Sequence, residues 1–209
     1  MRGKPGKELF ERIFARHEPR VLAALRKSVV GIAGAGGLGS NAAMALARAG
    51  VGNLIVADFD KIEPSNLNRQ QYSVGQIGRV KVLALRDNLE AAIPSCACEV
   101  HRLKVNRSNL RGIFGKADLL IEAFDKEEEK AGLIRAWLSF YPSKPIITAS
   151  GLAGFGDNNA LRTRRIGNMY VCGDEKSRCE KGVSPMAPRV GIVANMQANL
   201  AVQLLCKIT

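Results

Sequence analysis

The sequence predicts an α/β protein built on a doubly wound, mostly parallel sheet with helices on both faces and a short antiparallel extension. Three observations carry that prediction. Short apolar strand segments alternate with helical ones along the chain, a glycine-rich turn joins the first strand to the helix after it, and an acid closes the next strand. Such alternation implies right-handed crossovers, which lay helices over both faces of a parallel sheet. With 209 residues and 46% hydrophobic content the chain is long enough for one full core.

Taken in order, Glu8 to Arg26 reads as an amphipathic helix broken near His17-Glu18-Pro19, where the proline cannot continue a helix. Strands are predicted at Val29–Ala33, Asn53–Asp58, Cys98–Leu103, Leu119–Ala123 and Ile146–Ser150. Helices are predicted at Leu38–Ala49, Val80–Ala91, Asn109–Phe114, Glu127–Phe140 and Pro188–Lys207. Ala160–Ile166 and Asn168–Cys172 form a short antiparallel hairpin added at the sheet edge, and the glycine-rich stretch Gly151–Asn159 is a loop above the carboxyl ends of the strands. The division expected is an N-terminal helical segment over residues 1–27 followed by one domain over 28–209.

Charge and cysteines narrow the function. A net charge of +12 suits anionic partners, yet the basic residues are scattered and not interleaved with aromatics, which argues against nucleic acid as the main partner. No apolar run approaches the roughly 20 residues that span a bilayer, and charged residues follow the basic start where a signal peptide turns apolar. A cytoplasmic setting without membrane contact is the expectation. Five cysteines, an odd number, oppose a disulfide framework, and without CxxC pairs no structural zinc is expected.

The segment Gly34-Ala35-Gly36-Gly37-Leu38-Gly39 lies between a strand and an alanine-rich helix. Its glycines let the backbone approach a pyrophosphate, and the helix N-terminus supplies N–H groups and the positive end of a dipole. Asp58 stands 19 residues beyond Gly39, where a dinucleotide-binding unit places the carboxylate that takes ribose hydroxyls. A hydride-transfer enzyme using NAD shares those features. It has no use for Asp60, Ser65, Asn66, Asn68 and Arg69 just past the second strand, or for Lys81 opening the next helix. A nucleoside triphosphate does, because its β and γ phosphates need cations in fixed geometry. Asp125, over the carboxyl edge of the fourth strand, can hold a magnesium ion on phosphate oxygens; the alternatives, a surface Arg69, a solvated Lys81 and a helix N-cap Asp125, are outweighed by their convergence round one glycine turn.

These residues resemble the ThiF/MoeB-type adenylyltransferases, relatives of ubiquitin-activating enzymes. The resemblance is carried by Gly34–Gly39 with Ser40, Ala49–Leu54, Asp58–Asp60 through Ser65–Gln70, Gly78–Val82, Asp125 and Met186–Gly191, and covers Ser28 to the C-terminus. Asn68–Tyr72, Ala149–Gly151 and Met196–Leu200, with the short length, bring it nearest to the short ThiF-like proteins of thiamin synthesis.

What the resemblance implies is ATP-dependent adenylylation. The C-terminal glycine carboxylate of a small ubiquitin-like, ThiS-like sulfur carrier attacks the α-phosphorus, giving acyl-adenylate and pyrophosphate. By similarity, Gly34, Gly36, Gly37 and Gly39 form the phosphate turn and Asp58 meets the ribose. Asp60, Ser65, Asn66, Arg69 and Lys81 serve the triphosphate, Asp125 holds magnesium, and the chain is a homodimer. The pattern departs from the family in lacking zinc-binding cysteine pairs and in Lys126, where Asn is usual. Cys179 lies about where some relatives carry a thiol that joins the carrier, and Lys176, Arg178 and Lys181 favour its thiolate. An incidental loop cysteine stays open as the alternative, as do another carboxylate acceptor (a molybdopterin-type carrier, a peptide or a tRNA base), a non-catalytic relative and an NAD-dependent oxidoreductase.

Overall fold

The computed structural model describes residues 5–207, with side chains from residue 8. The first four residues of the basic start, and residues 208–209 of the domain read above, lie outside them. Two short helices open the described chain, α1 (Pro5–Ile13) and α2 (Pro19–Lys27). They part where expected, because Pro19 opens α2 and the Glu18 side chain accepts the Val21 N–H at 2.8 Å to cap it.

Then follow β1 (Val29–Ala33), α3 (Gly37–Ala49), β2 (Asn53–Ala57), α4 (Lys81–Ala92), β3 (Ala97–His101), α5 (Leu110–Phe114), β4 (Leu119–Glu122), α6 (Glu127–Phe140), β5 (Ile146–Ala149), β6 (Arg162–Ile166), β7 (Met169–Gly173) and α7 (Ala187–Cys206). The predicted elements are all present, with ends moved by one or two residues, except that α1 begins three residues before Glu8. Three 3-10 turns, Pro64–Asn66, Val74–Gln76 and Asn158–Ala160, are additional, and the last takes Ala160 out of the predicted hairpin strand.

Among the described residues the sheet has seven strands in the order β3-β2-β1-β4-β5-β7-β6. All pairs are parallel except β6 with β7, the predicted hairpin, whose inner strand β7 runs parallel to β5 and leaves β6 as the outer edge. The chain leaves β1 toward β2 on one side and returns to β4 on the other. β1 is flanked by both, with Ala33 beside Ala57 and Glu122. Their carboxyl ends are thus level, and the connections diverge there, which opens a crevice at the edge of such a sheet.

The two faces are covered separately. Phe10, Phe14 and Leu25 of α1, its following turn and α2 join Leu46 of α3, Leu85 of α4 and Val193 of α7 in one buried cluster. Phe114 of α5 and Leu133 and Trp137 of α6 fill the other. α3 and α7 are packed against each other over the first face. Among the described residues no helix is long and apolar enough to cross a membrane.

Candidate active site

The diverging connections enclose a cleft of about 880 Å³ over the carboxyl ends of β1, β2, β4 and β5. Its floor is the glycine turn. Gly34 has φ +103°, and a Cβ there would sit 2.6 Å from the Ala123 carbonyl oxygen, so only glycine brings β1 so close to the end of β4. Gly36 is different. A Cβ on it meets only the Gln70 Nε2, at 3.8 Å, so bare backbone faces the cleft with no packing partner. No side chain caps α3 at Gly36, and the first-turn N–H groups open toward the cleft wall. Gly37 also lines the cleft, whereas Gly39 does not: it lets helix and strand touch.

Asp58 follows β2 and is 7% exposed. Its Oδ2 accepts the Ala35 N–H at 2.7 Å and its Oδ1 the Asp60 N–H at 2.8 Å. Burial raises its pKa above the ordinary carboxylate value, opposed by those two bonds and by Lys81. Asp58 therefore clamps the glycine turn, and each oxygen keeps a lone pair for a ligand hydroxyl. Tyr72 fixes the same residue from the other side, donating to the Ala35 carbonyl at 2.7 Å.

Lys81 opens α4, is buried, and pairs its Nζ with Asp60 Oδ2 at 3.0 Å. Asn66 is buried and accepts the Glu63 N–H at 3.1 Å, closing a 3-10 turn. Arg69 extends its guanidinium to the Ser65 carbonyl at 3.1 Å and Asn68 Oδ1 at 2.8 Å, while Asn41 of α3 holds the Arg69 carbonyl at 2.9 Å. Asp58, Asp60, Asn66, Arg69, Lys81 and Asp125 all line the one cleft; Ser65 lies outside the lining, behind Arg69. Next to Arg69, Gln70 is buried on the cleft wall with its Oε1 unpartnered.

Asp125 stands three residues past the end of β4, not at it. The reason is Glu122, whose Oε1 turns back to accept the Phe124 N–H at 2.7 Å and ends the ladder. Glu122 is 0% exposed, and its Oε2 takes the Thr148 hydroxyl at 2.5 Å and the Lys130 ammonium. Gln197 of α7 donates to the Glu122 carbonyl at 3.2 Å. Sequence reasoning missed this network, and its only signal was a charge closing the apolar run Leu119-Leu120-Ile121.

The far wall is a loop held by Asp174, also unforeseen. Its Oδ1 accepts the N–H groups of Lys176 at 2.7 Å and Ser177 at 2.8 Å, and its Oδ2 takes the Arg189 guanidinium at 2.5 Å. That places Cys179 exposed on the cleft rim; Cys172, by contrast, is buried in the core. Burial alone would raise Asp174, but those N–H groups and Arg189 outweigh it and hold the carboxyl at about 2. A depressed carboxyl stabilises the fold above its unfolded pKa and loses that effect as pH falls through its folded one. The stability of the wild-type chain should therefore drop between about pH 4 and pH 2. Urea titrations across that window should show a shallower drop for Asp174→Asn, and equal slopes would show the carboxylate is not the titrating group.

The fold and cleft define a Rossmann-like α/β protein with its crevice at the switch point of the sheet. The ThiF family model matches residues 10–209. The Escherichia coli molybdopterin-synthase adenylyltransferase is 31% identical over 189 residues, 87% of this chain and 74% of that protein. The adenylyltransferase and sulfurtransferase UBA4 of Candida albicans is 28% identical over 81% of this chain, which spans only 40% of that longer protein. Among solved structures, the E. coli tRNA N6-threonylcarbamoyladenosine dehydratase TcdA in complex with AMP superposes with a TM-score of 0.86 at 18% identity, covering 99% of this chain and 98% of that one. The chain belongs to the ThiF family and is an adenylyltransferase.

Proposed function

We propose that the cleft binds magnesium–ATP and adenylylates the C-terminal glycine carboxylate of a small ubiquitin-like, ThiS-like sulfur carrier in thiazole formation. The observation that carries the nucleotide part is the convergence of Asp58, Asp60, Asn66, Arg69, Lys81 and Asp125 on one cleft floored by bare glycine backbone. Triphosphate oxygens lie over the Gly36–Gly37 N–H groups, with Asn66, Arg69 and Lys81 around them. Leu103, Val105 and Phe124 give the cleft an apolar end suited to a base, beside the Asp58 carboxylate that suits the ribose.

Magnesium fits this donor set. The ion typically takes one or two carboxylates plus phosphate oxygens and water. Asp125 is exposed and lines the cleft. Among the described residues no group of three or more His, Cys, Asp and Glu exists to cage a metal without the nucleotide. When bound, the ion neutralises charge on the phosphates. The residues of the chain do the rest by alignment: the attacking carboxylate is already ionised, so no general base is needed. A carboxylate oxygen bonds to the α-phosphorus, the bond to the bridging oxygen of the β-phosphate breaks, and pyrophosphate leaves. The exposure of Cys179 on the cleft rim supports reading it as the thiol that meets the activated carrier.

The activity for which the E. coli relative is named, adenylyl transfer, supports adenylylation. The TcdA likeness makes a tRNA-base carboxylate the competing acceptor. Incubating the chain with ATP, magnesium and either a ThiS-like carrier or tRNA, followed by mass spectrometry, tests the choice. A carrier heavier by one AMP is the expected result. AMP release with tRNA alone would move the acceptor assignment. A thermal shift with NAD and none with ATP would overturn the nucleotide reading itself.

A further inference from the structure

Asp125 lies in a crowd of lysines and pairs with none of them. Lys126 is its neighbour in the chain, Lys130 lies one turn into α6, and Lys104 reaches the same helix end from the β3–α5 connection. α6 begins at Glu127 with Lys126 as its cap residue. Asp125 and Lys130 therefore hold the two positions, before the cap and four into the helix, whose side chains meet across a helix start. An ion pair between them is within reach of an exposed carboxylate so placed. Among the described residues Asp125 has no such partner, and each lysine is engaged elsewhere. Lys104 and Lys126 reach Glu129 Oε1 at 2.9 and 3.8 Å, and Lys130 is drawn inward onto Glu122 Oε2.

We propose that Glu122 and Glu129 partition this charge: they hold the three lysines and so keep the Asp125 carboxylate uncommitted for a divalent cation. The cation role of Asp125 is taken from the function proposed above; the partition is the new element. Two features support it. Glu122 cannot drift, because Phe124 N–H, the Thr148 hydroxyl and Lys130 fix both its oxygens inside the sheet. Nor is stability a sufficient reason for its presence, since replacing a buried ion pair by apolar residues is often neutral or favourable. An ammonium on Asp125 would compete directly with a cation for the same oxygens, and the partition removes that competitor.

The test measures the affinity of the whole chain for ATP in EDTA and in Mn2+, and takes the ratio. Asp125→Asn should lower the ratio toward one. Glu122→Gln keeps an acceptor oxygen for the Phe124 N–H and turns its amide NH2 to the Thr148 hydroxyl oxygen, which then accepts, but it releases Lys130, and should lower the ratio about tenfold with ATP affinity in EDTA retained. Adding Lys130→Met to it should restore the ratio to within about threefold of wild type, which repair of folding alone would not do. Glu129→Gln, at a partly exposed position where folding is not at stake, should lower it about threefold and decides the matter if Glu122→Gln does not fold. Wild-type ratios in both Glu variants, with a fall in Asp125→Asn, overturn the partition and leave the function standing. An unchanged ratio in Asp125→Asn removes the cation role as well.

Discussion

Alanine at Arg69 is expected to lower ATP–pyrophosphate exchange by a hundredfold or more, at about 3 kcal/mol for a charged contact made to the leaving phosphates. The fold should not suffer. Among the described residues the guanidinium bonds only locally, to the Ser65 carbonyl and Asn68, and its backbone is held by Asn41 whatever the side chain. Asp125→Ala should have a comparable effect on exchange with an unchanged melting temperature, because Asp125 has no ion pair to lose among the described residues. His17 and His101 lie outside the cleft lining, so their alanine variants should retain exchange. Labelled pyrophosphate incorporation, read beside a thermal melt, separates these cases. Full exchange in both Arg69→Ala and Asp125→Ala would falsify the site.

Gly39→Ala should cost the fold itself about 3 kcal/mol or more, the range of forced overpacking against rigid backbone. A Cβ at Gly39 falls 1.9 Å from the Gly34 carbonyl oxygen, and neither the strand end nor the helix start can retreat. Gly36→Ala is the contrasting case from the same turn. Its Cβ meets nothing closer than Gln70, so the protein should fold normally and lose ATP affinity instead. Denaturation midpoints and nucleotide titration on the two variants read out this division. A Gly36 variant that binds ATP like wild type would place the phosphates elsewhere.

The strands were legible because residues buried on both faces of a parallel sheet are apolar in runs, and Val29–Ala33 and Leu119–Ile121 are such runs. The glycine turn was legible because Gly34 and Gly39 answer to steric demands that no other residue meets. Strand ends were not, since side chains returning to the backbone decide them. Asp58 takes the Asp60 N–H and Glu122 the Phe124 N–H, and in each case the ladder stops there. The cleft residues Asn66, Arg69 and Lys81 could be named from residue type and position, yet not their present engagements. Lys81 turning to Asp60 depends on how α4 docks against the end of β2. The Asp174–Arg189 tie was out of reach for a similar reason, because it joins the end of β7 to the start of α7 across a loop that only the folded sheet brings round.

β6 is an outer strand with all five residues exposed, Arg162-Thr163-Arg164-Arg165-Ile166, and its free backbone edge is a template on which a second strand could grow. Arginine at three of its five positions makes stacking of like copies set guanidinium against guanidinium. Glu175 neutralises part of this charge from within, through Arg164 and Arg162. Some of the chain's +12 thus lies along an open sheet edge, away from the cleft, where like charge opposes the pairing of one copy with another.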